Sequence, residues 1–238
     1  MINVICISNF DELESIKENV LKLGYKFKHK PYINIEFVSL SVESLRYIEE
    51  SNVCIFQSKN AATSVENYRS SFNDLIDYFA VGIYTARSVE KSIQFNCKYP
   101  KNNYSSNDLI KEYEFNSIEG KKIVILKGEG GLTTLRDSLQ ERNIVNEIIT
   151  YKRIINKNII NDNDFDNNSK NIIISMSRDA LKSLYVNHHD IIESRDALLI
   201  IPSERFLDDK IKIFKEVYTL KSSEYKNEIL SIIQSYNE

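Results

Sequence analysis

The chain has 238 residues, 42% of them hydrophobic and 27% charged, with a formal net charge of −3. That length holds one large or two small domains of ordinary globular composition. The mild acidity argues against a nucleic-acid binder, which needs a basic face. No apolar stretch approaches the roughly 20 residues of a membrane helix. Six glycines and three prolines leave no long flexible linker.

The opening INVICIS (2–8) reads as a buried strand. Residues 10–24 carry Phe10, Leu13, Ile16, Val20 and Leu23 near helical spacing, with Gly24 as the stop. An extended stretch from Tyr32 to Val38 follows Pro31, and SVESLRYIEES is helical. VCIFQS (53–58) is a second core strand. A helix over 60–69, a short element near 72–78, the strand FAVGI and the helix TARSVEKSI follow. FNCKY reads as a strand, SSNDLIKEY as a helix, KIVILK as a strand and TTLRDSLQERN as a helix. VNEIITYKRII is a long extended run. After a polar stretch come strand NIIIS, helix RDALKSLY, strand ALLII, helix ERFLDDKIKIF, strand KEVYTL and helix SEYKNEILSIIQSY. Strands alternating with helices predict an α/β fold with parallel sheets.

Two features organise these elements. IFQSKNAATSV (55–65) lines up with ISMSRDALKSL (174–184), and FAVGIYTARSVE is echoed by LLIIPSERFLDD. Two extended segments, 31–38 and 147–156, would cross between lobes as a paired antiparallel ladder. The expectation is two Rossmann- or flavodoxin-like lobes. Lobe one comprises 1–33 plus 154–238, lobe two 38–147, with 31–38 and 147–156 as connecting strands and hinge. A cleft between such lobes is a common ligand site.

The start of the chain lacks a basic n-region and an acid-free apolar core, so no signal peptide is expected. Cys6, Cys54 and Cys97 are odd in number and widely spaced, and read as buried thiols on strands in a reducing compartment. His29, His188 and His189 lack metal-ligand spacing. A cytoplasmic protein without a metal is expected.

In KKIVILKGEGGLTTLR (121–136) an apolar strand breaks into a glycine turn and then a helical pattern. Such a turn either places an anion at a helix N-terminus or is a plain connection needing positive φ. The P-loop pattern is absent. The dinucleotide fingerprint fails because Thr133 follows where a third glycine is needed. Ser58, Lys59 and Asn60 end a core strand, and Ser177, Arg178 and Asp179 repeat that geometry. Each serine is an N-cap, and the carboxyl ends of strands in open α/β sheets are also where ligands bind. Thr85 reads as a helix cap or a ligand contact, and Gly82 allows close backbone approach.

Taken in order, IFQSKNA (55–61), VGIYTA (81–86), ILKGEGGLTTLRDSLQERN (125–143) and IITYKR (148–153) resemble the uroporphyrinogen-III synthase family. The resemblance implies a cofactor-free lyase of tetrapyrrole and heme biosynthesis. It would cyclise hydroxymethylbilane with loss of water and inversion of the last pyrrole ring. The substrate carries carboxylates on every ring, so GEGG (128–131) would receive a carboxylate rather than a phosphate. Substrate contacts would fall on Gln57, Ser58, Lys59, Asn60, Gly82, Thr85, Ala86, Lys127, Gly128, Gly130, Gly131, Ser177, Arg178 and Ser203. Tyr151 matches the family's tyrosine on the returning strand. It would donate to the leaving hydroxyl or steady the cationic intermediate, although with fourteen tyrosines present packing is the competing reading.

The implied path runs through an azafulvene and a spiro intermediate, catalysed mostly by orientation. Three departures from the family pattern stand out. Gln57 and Met176 stand where threonine is common. IIPSERF (200–206) lacks Gly-x-x-Thr, with Ile201 and Glu204 at those offsets and Ser203 as the nearby substitute. Lys59, Lys127, Arg178 and Arg87 would compensate locally for the net acidity. A monomer is implied, in transient contact with the preceding enzyme of the pathway. The alternatives are a two-lobed small-molecule binding protein, a nucleotide-sugar-type transferase and a pair of receiver-like domains.

Overall fold

The structure is a computed structural model describing residues 1–10, 12–112, 115, 117–221 and 225–236. Asp11, Tyr113 and the expected start of the last helix at 223–224 lie outside the described residues. The chain divides into unit 1, Met1–Asn34 with Ile155–Glu238, and unit 2, Ile35–Ile154.

The chain starts in unit 1 with β1 (Ile2–Cys6), α1 (Leu13–Lys22) and β2 (Lys26–His29). Gly24, at φ +76°, stops α1. Next come β3 (Ile33–Phe37), α2 (Val42–Glu49), β4 (Val53–Phe56), α3 (Lys59–Thr63), β5 (Asp77–Ala80) and α4 (Ile83–Ile93). They are followed by α5 (Ser106–Lys111), β6 (Lys122–Gly128), α6 (Thr134–Leu139) and β7 (Ile144–Ile155). Unit 1 then resumes with β8 (Lys170–Ile174), α7 (Arg178–Asn187), α8 (His189–Glu193), β9 (Leu198–Ile201), β10 (Glu216–Thr219) and α9 (Tyr225–Ser235).

Unit 1's sheet runs β10-β9-β8-β1-β2, parallel throughout. Unit 2's sheet runs β3-β7-β6-β4-β5. Its β5, β4, β6 and β7 are parallel to one another. β3 lies antiparallel beside β7: Val38 N–H donates to Thr150 O at 2.9 Å, and Asn156 N–H to Tyr32 O at 2.8 Å. Each unit is therefore doubly wound, as expected. Strand order reverses between β1 and β8 in unit 1, and between β4 and β6 in unit 2. Ligands of open α/β sheets sit outside the carboxyl ends of strands at such a reversal.

The inner strands of each sheet are buried on both faces, which is why β1, β4, β6, β8 and β9 read as near-continuous apolar runs. In unit 2, Cys54, Phe56, Val124, Leu126 and Ile148 face α3 and α4, while Val53, Ile55, Ile123 and Ile125 face α5 and α6. In unit 1, Val4, Cys6, Ile172 and Ile174 face α1 and α9, while Ile5, Ile173 and Leu199 face α7 and α8.

Several local expectations change. β2 is an added strand: KFKH is a basic edge that pairs only with β1 and needs no apolar run. FNCKY forms one parallel bridge, Phe79 to Lys98, rather than a strand. The helix expected over 60–69 ends at Thr63 and gives way to a 3₁₀ turn over Glu66–Ser71. ERFLDDKIKIF forms two 3₁₀ turns, Glu204–Phe206 and Asp209–Ile213. Leu207 is extended, and the Asp208 carboxylate accepts Lys210 N–H at 3.0 Å, restarting the chain in mid-segment. The sequence repeat aligns β4 with β8, yet β4 is the first strand of its parallel set and β8 the third. In the sheets, however, the two stand at equivalent places, each at the reversal point with the next strand of the chain beside it (β6-β4-β5 and β1-β8-β9), so the repeated segments occupy matching positions in a permuted chain order.

Candidate functional site

At the reversal point of unit 2, Gln57 and Ser58 follow the end of β4. The Ser58 hydroxyl accepts Ala61 N–H at 3.1 Å as the N-cap of α3 and donates to the Tyr151 hydroxyl at 3.0 Å. Tyr151 is 2% exposed, packed with Phe56, Leu126 and Ile148. At most its hydroxyl edge, beside half-buried Ser58, meets a ligand. Tyr151 reaches this face through an irregularity in β7. Lys127 pairs with Ile149, but Gly128 pairs with Tyr151, so Thr150 is the extra residue. Strict alternation from Ile148 would send Tyr151 to the opposite face; the bulge turns it toward Ser58. The ring then lies against Gly128, where an added Cβ would stand 2.5 Å from Tyr151 Cζ. Ser58, Gly128 and Tyr151 are thus brought together.

The glycine turn is built differently from the expectation. Gly130, at φ +67°, makes the turn. The amides of Glu129 and Gly131 donate to Tyr151 O and Gly128 O. Helix α6 begins only at Thr134, with Thr133 as its N-cap. GEGG is therefore not the N-terminus of a helix: the Gly131 amide closes the turn and the Glu129 amide is bonded to β7. Lys127 also differs. Its ammonium is buried, paired with Glu147 at 2.7 Å and donating to Leu132 O at 2.9 Å. Arg136 reaches the other Glu147 oxygen at 3.4 Å, and Gln57 Nε2 donates to Leu132 O at 3.2 Å. Lys127 therefore holds the loop from beneath, and its charge is committed to Glu147.

At the end of β5 the N-cap of α4 is Gly82, not Thr85, which sits inside the first turn and is buried. Gly82 offers no side chain to the first-turn amides. An added Cβ there would stand 2.5 Å from Tyr104 Cβ. Ala86 is buried, its amide bonded to Gly82 O. Lys59 is exposed and Asn60 half-buried on α3.

Unit 1 has its own rim. Ser177 caps α7, accepting Ala180 N–H at 3.3 Å, and the Ser8 hydroxyl accepts Met176 N–H at 3.0 Å. Arg178 donates to Arg205 O at 2.7 Å and lies over the Phe206 ring. Ser203 precedes the 3₁₀ turn as its N-cap, half-buried, with no side-chain capping bond. Arg178 and Ser203 thus meet at one turn, and Arg178 clips that turn to α7.

The sequence reading missed Glu147, Arg136, Leu132 and Tyr104. Glu147 had a signal: it lies two residues before Ile149, the partner of Lys127, hence on the same sheet face. Tyr104 had none, being a loop residue brought to Gly82 by tertiary folding. Burial pushes the Cys6 thiol up to about 12 and the Cys54 thiol well up. Cys6 and Cys54 lie on strands as expected; Cys97 lies outside one, and all three are buried and free. Among the described residues, no group of three or more His, Cys, Asp or Glu side chains is arranged to hold a metal, and no helix is long and apolar enough to cross a membrane.

The model of the uroporphyrinogen-III synthase HemD family matches residues 14–202, most of the chain. This chain belongs to that family. It is similar to the uroporphyrinogen-III synthase of Proteus mirabilis, with 26% identity over 149 residues, covering 59% of this chain and 75% of that one. A mutant uroporphyrinogen III synthase from the extreme thermophile Thermus thermophilus shares its fold at a TM-score of 0.51 and 12% identity, covering 98% of this chain and 99% of that one.

Proposed function

We propose that this chain carries out its family's reaction at the rim of β4, β5 and β6 in unit 2, with Tyr151 as the donor at the reacting end. In that reaction hydroxymethylbilane loses water and closes with ring D inverted, giving uroporphyrinogen III. The observation that carries the siting is the meeting of Ser58, Gly128 and Tyr151 at the strand-order reversal.

The chemistry asks little of the protein beyond position. The electron-rich terminal pyrrole expels its own hydroxyl. The carbon–oxygen bond breaks, the oxygen leaves as water with a donated proton, and a cationic azafulvenium remains, its charge carried by the pyrrole nitrogen. A phenol at hydrogen-bond distance from that oxygen is an orienting donor. The last ring then attacks through its substituted carbon, and the spiro product fragments and recloses. Holding the bilane curled for that attack is the main catalytic contribution. The first-turn amides of α4, left without a side-chain cap by Gly82, suit a substrate carboxylate. Ser177, Arg178 and Ser203 offer unit 1's polar groups to the same kind of ligand. Lys127 enters as a support of the 128–134 loop.

The working location we assign is the cytoplasm, where three buried free thiols suit a reducing medium. The working state is a monomer that meets the preceding enzyme transiently.

Supplying hydroxymethylbilane and measuring type-III against type-I uroporphyrinogen tests the reading. Type III should dominate, and Tyr151→Phe should lower its rate of formation while far-UV circular dichroism stays unchanged. Type I alone, the spontaneous product, overturns the function. Full activity in Tyr151→Phe overturns the role of the phenol.

A further inference from the structure

We infer that Ser58 is a positioning residue that sets the direction of the Tyr151 proton. The inference rests on the assignment of Tyr151 above and goes beyond it.

A hydroxyl has one proton to donate. The Ser58 oxygen already accepts Ala61 N–H at 3.1 Å, and its own proton is donated to the Tyr151 oxygen at 3.0 Å. The phenol oxygen is therefore an acceptor on the Ser58 side. The phenol proton must point away from Ser58, because two protons cannot share that contact. Gly128 lies against the end of the ring and gives it room to sit there. A phenol free to rotate would give its proton to whichever acceptor lies nearest, including Ser58. The proton that Ser58 donates, from a side chain the cap holds in place, occupies that contact and leaves the phenol proton for an incoming oxygen. Ser58, fixed by a first-turn amide of α3, thus orients a donor that lies 93 residues along the chain.

The test separates capping, substrate contact and proton direction. Ser58→Gly removes the hydroxyl, yet glycine is a tolerated N-cap. Ser58→Asp keeps a strong cap but can only accept, which turns the phenol proton inward. Ser58→Thr keeps the hydroxyl. Each is made alone and with Tyr151→Phe, and kcat, KM, type-III fraction and thermal midpoint are measured. Ser58→Gly and Ser58→Asp should each lower kcat about tenfold, the effect of one misdirected hydrogen bond. KM should stay within about twofold for Ser58→Gly, and Ser58→Thr should recover most of the lost kcat. In the Tyr151→Phe background, Ser58→Gly should change kcat less than about twofold, because the proton it orients is gone.

A full additional loss in that background, or an effect confined to KM, overturns the inference in favour of direct substrate contact. A fall in thermal midpoint with kcat preserved reduces Ser58 to a cap. If Tyr151→Phe lowers kcat and Ser58→Gly does not, only this inference fails. If Tyr151→Phe leaves kcat intact, the assignment of Tyr151 fails and carries the inference down with it.

Discussion

Gly128→Ala is the sharpest steric test of the site. The added methyl would stand 2.5 Å from Tyr151 Cζ, 2.7 Å from Cε2 and 2.8 Å from the hydroxyl oxygen. Ordinary carbon contacts begin at about 3.5 Å, so the ring must retreat by about 1 Å. It has little room, being 2% exposed and packed with Phe56, Leu126 and Ile148. Overpacking of this kind costs about 1–3 kcal/mol, and losing the Ser58 hydrogen bond adds about 1 kcal/mol. The total, about 2–4 kcal/mol, is a large share of a domain's usual stability of about 5–15 kcal/mol. Urea unfolding of Gly128→Ala, Tyr151→Ala and the double variant measures the coupling. The Gly128→Ala cost should shrink by about 1 kcal/mol or more once the ring is gone. Gly130→Ala is the control: nothing lies within 4 Å of its added Cβ, so its cost of about 1–2 kcal/mol comes from φ +67° alone and is independent of Tyr151. A Gly128→Ala protein with parental stability, or with the same cost in both backgrounds, refutes the reasoning.

Other consequences concern charge and burial. Glu147→Gln leaves the Lys127 ammonium, whose side chain is 4% exposed, without its anion and should cost about 3 kcal/mol in urea unfolding. Lys127→Met should cost less, because Glu147 keeps Arg136. Its hydrogen bond with Lys26 holds the Asp166 carboxyl down at about 2, below the ordinary 3.8. A depressed carboxyl stabilises the fold above its unfolded value and loses that contribution as pH falls, here between about 4 and about 2. Asp166→Asn should flatten stability over that window in acid titration. Cys6, Cys54 and Cys97 should resist a thiol reagent at neutral pH in the native protein and all react in denaturant, as burial holds each as a thiol.

The apolar runs of β1, β4, β6, β8 and β9 determined by themselves that both sheets are buried parallel layers, because only a two-faced strand can be apolar at every position. Gly24 determined the end of α1, and Ser58 and Ser177 their caps, since these act over one turn of chain. Local chemistry reached no further. Tertiary structure decided that the polar edge KFKH pairs with β1, because an edge strand needs a neighbour rather than a hydrophobic pattern. It decided that Lys127 turns inward to Glu147, which lies 20 residues away. Above all it decided where Tyr151 points. Read by alternation, that side chain belongs on the face opposite Ile148. The extra residue Thr150, set by pairing with β6, rotates it onto the Ser58 face, and register between strands is a property of the folded sheet that no single segment contains.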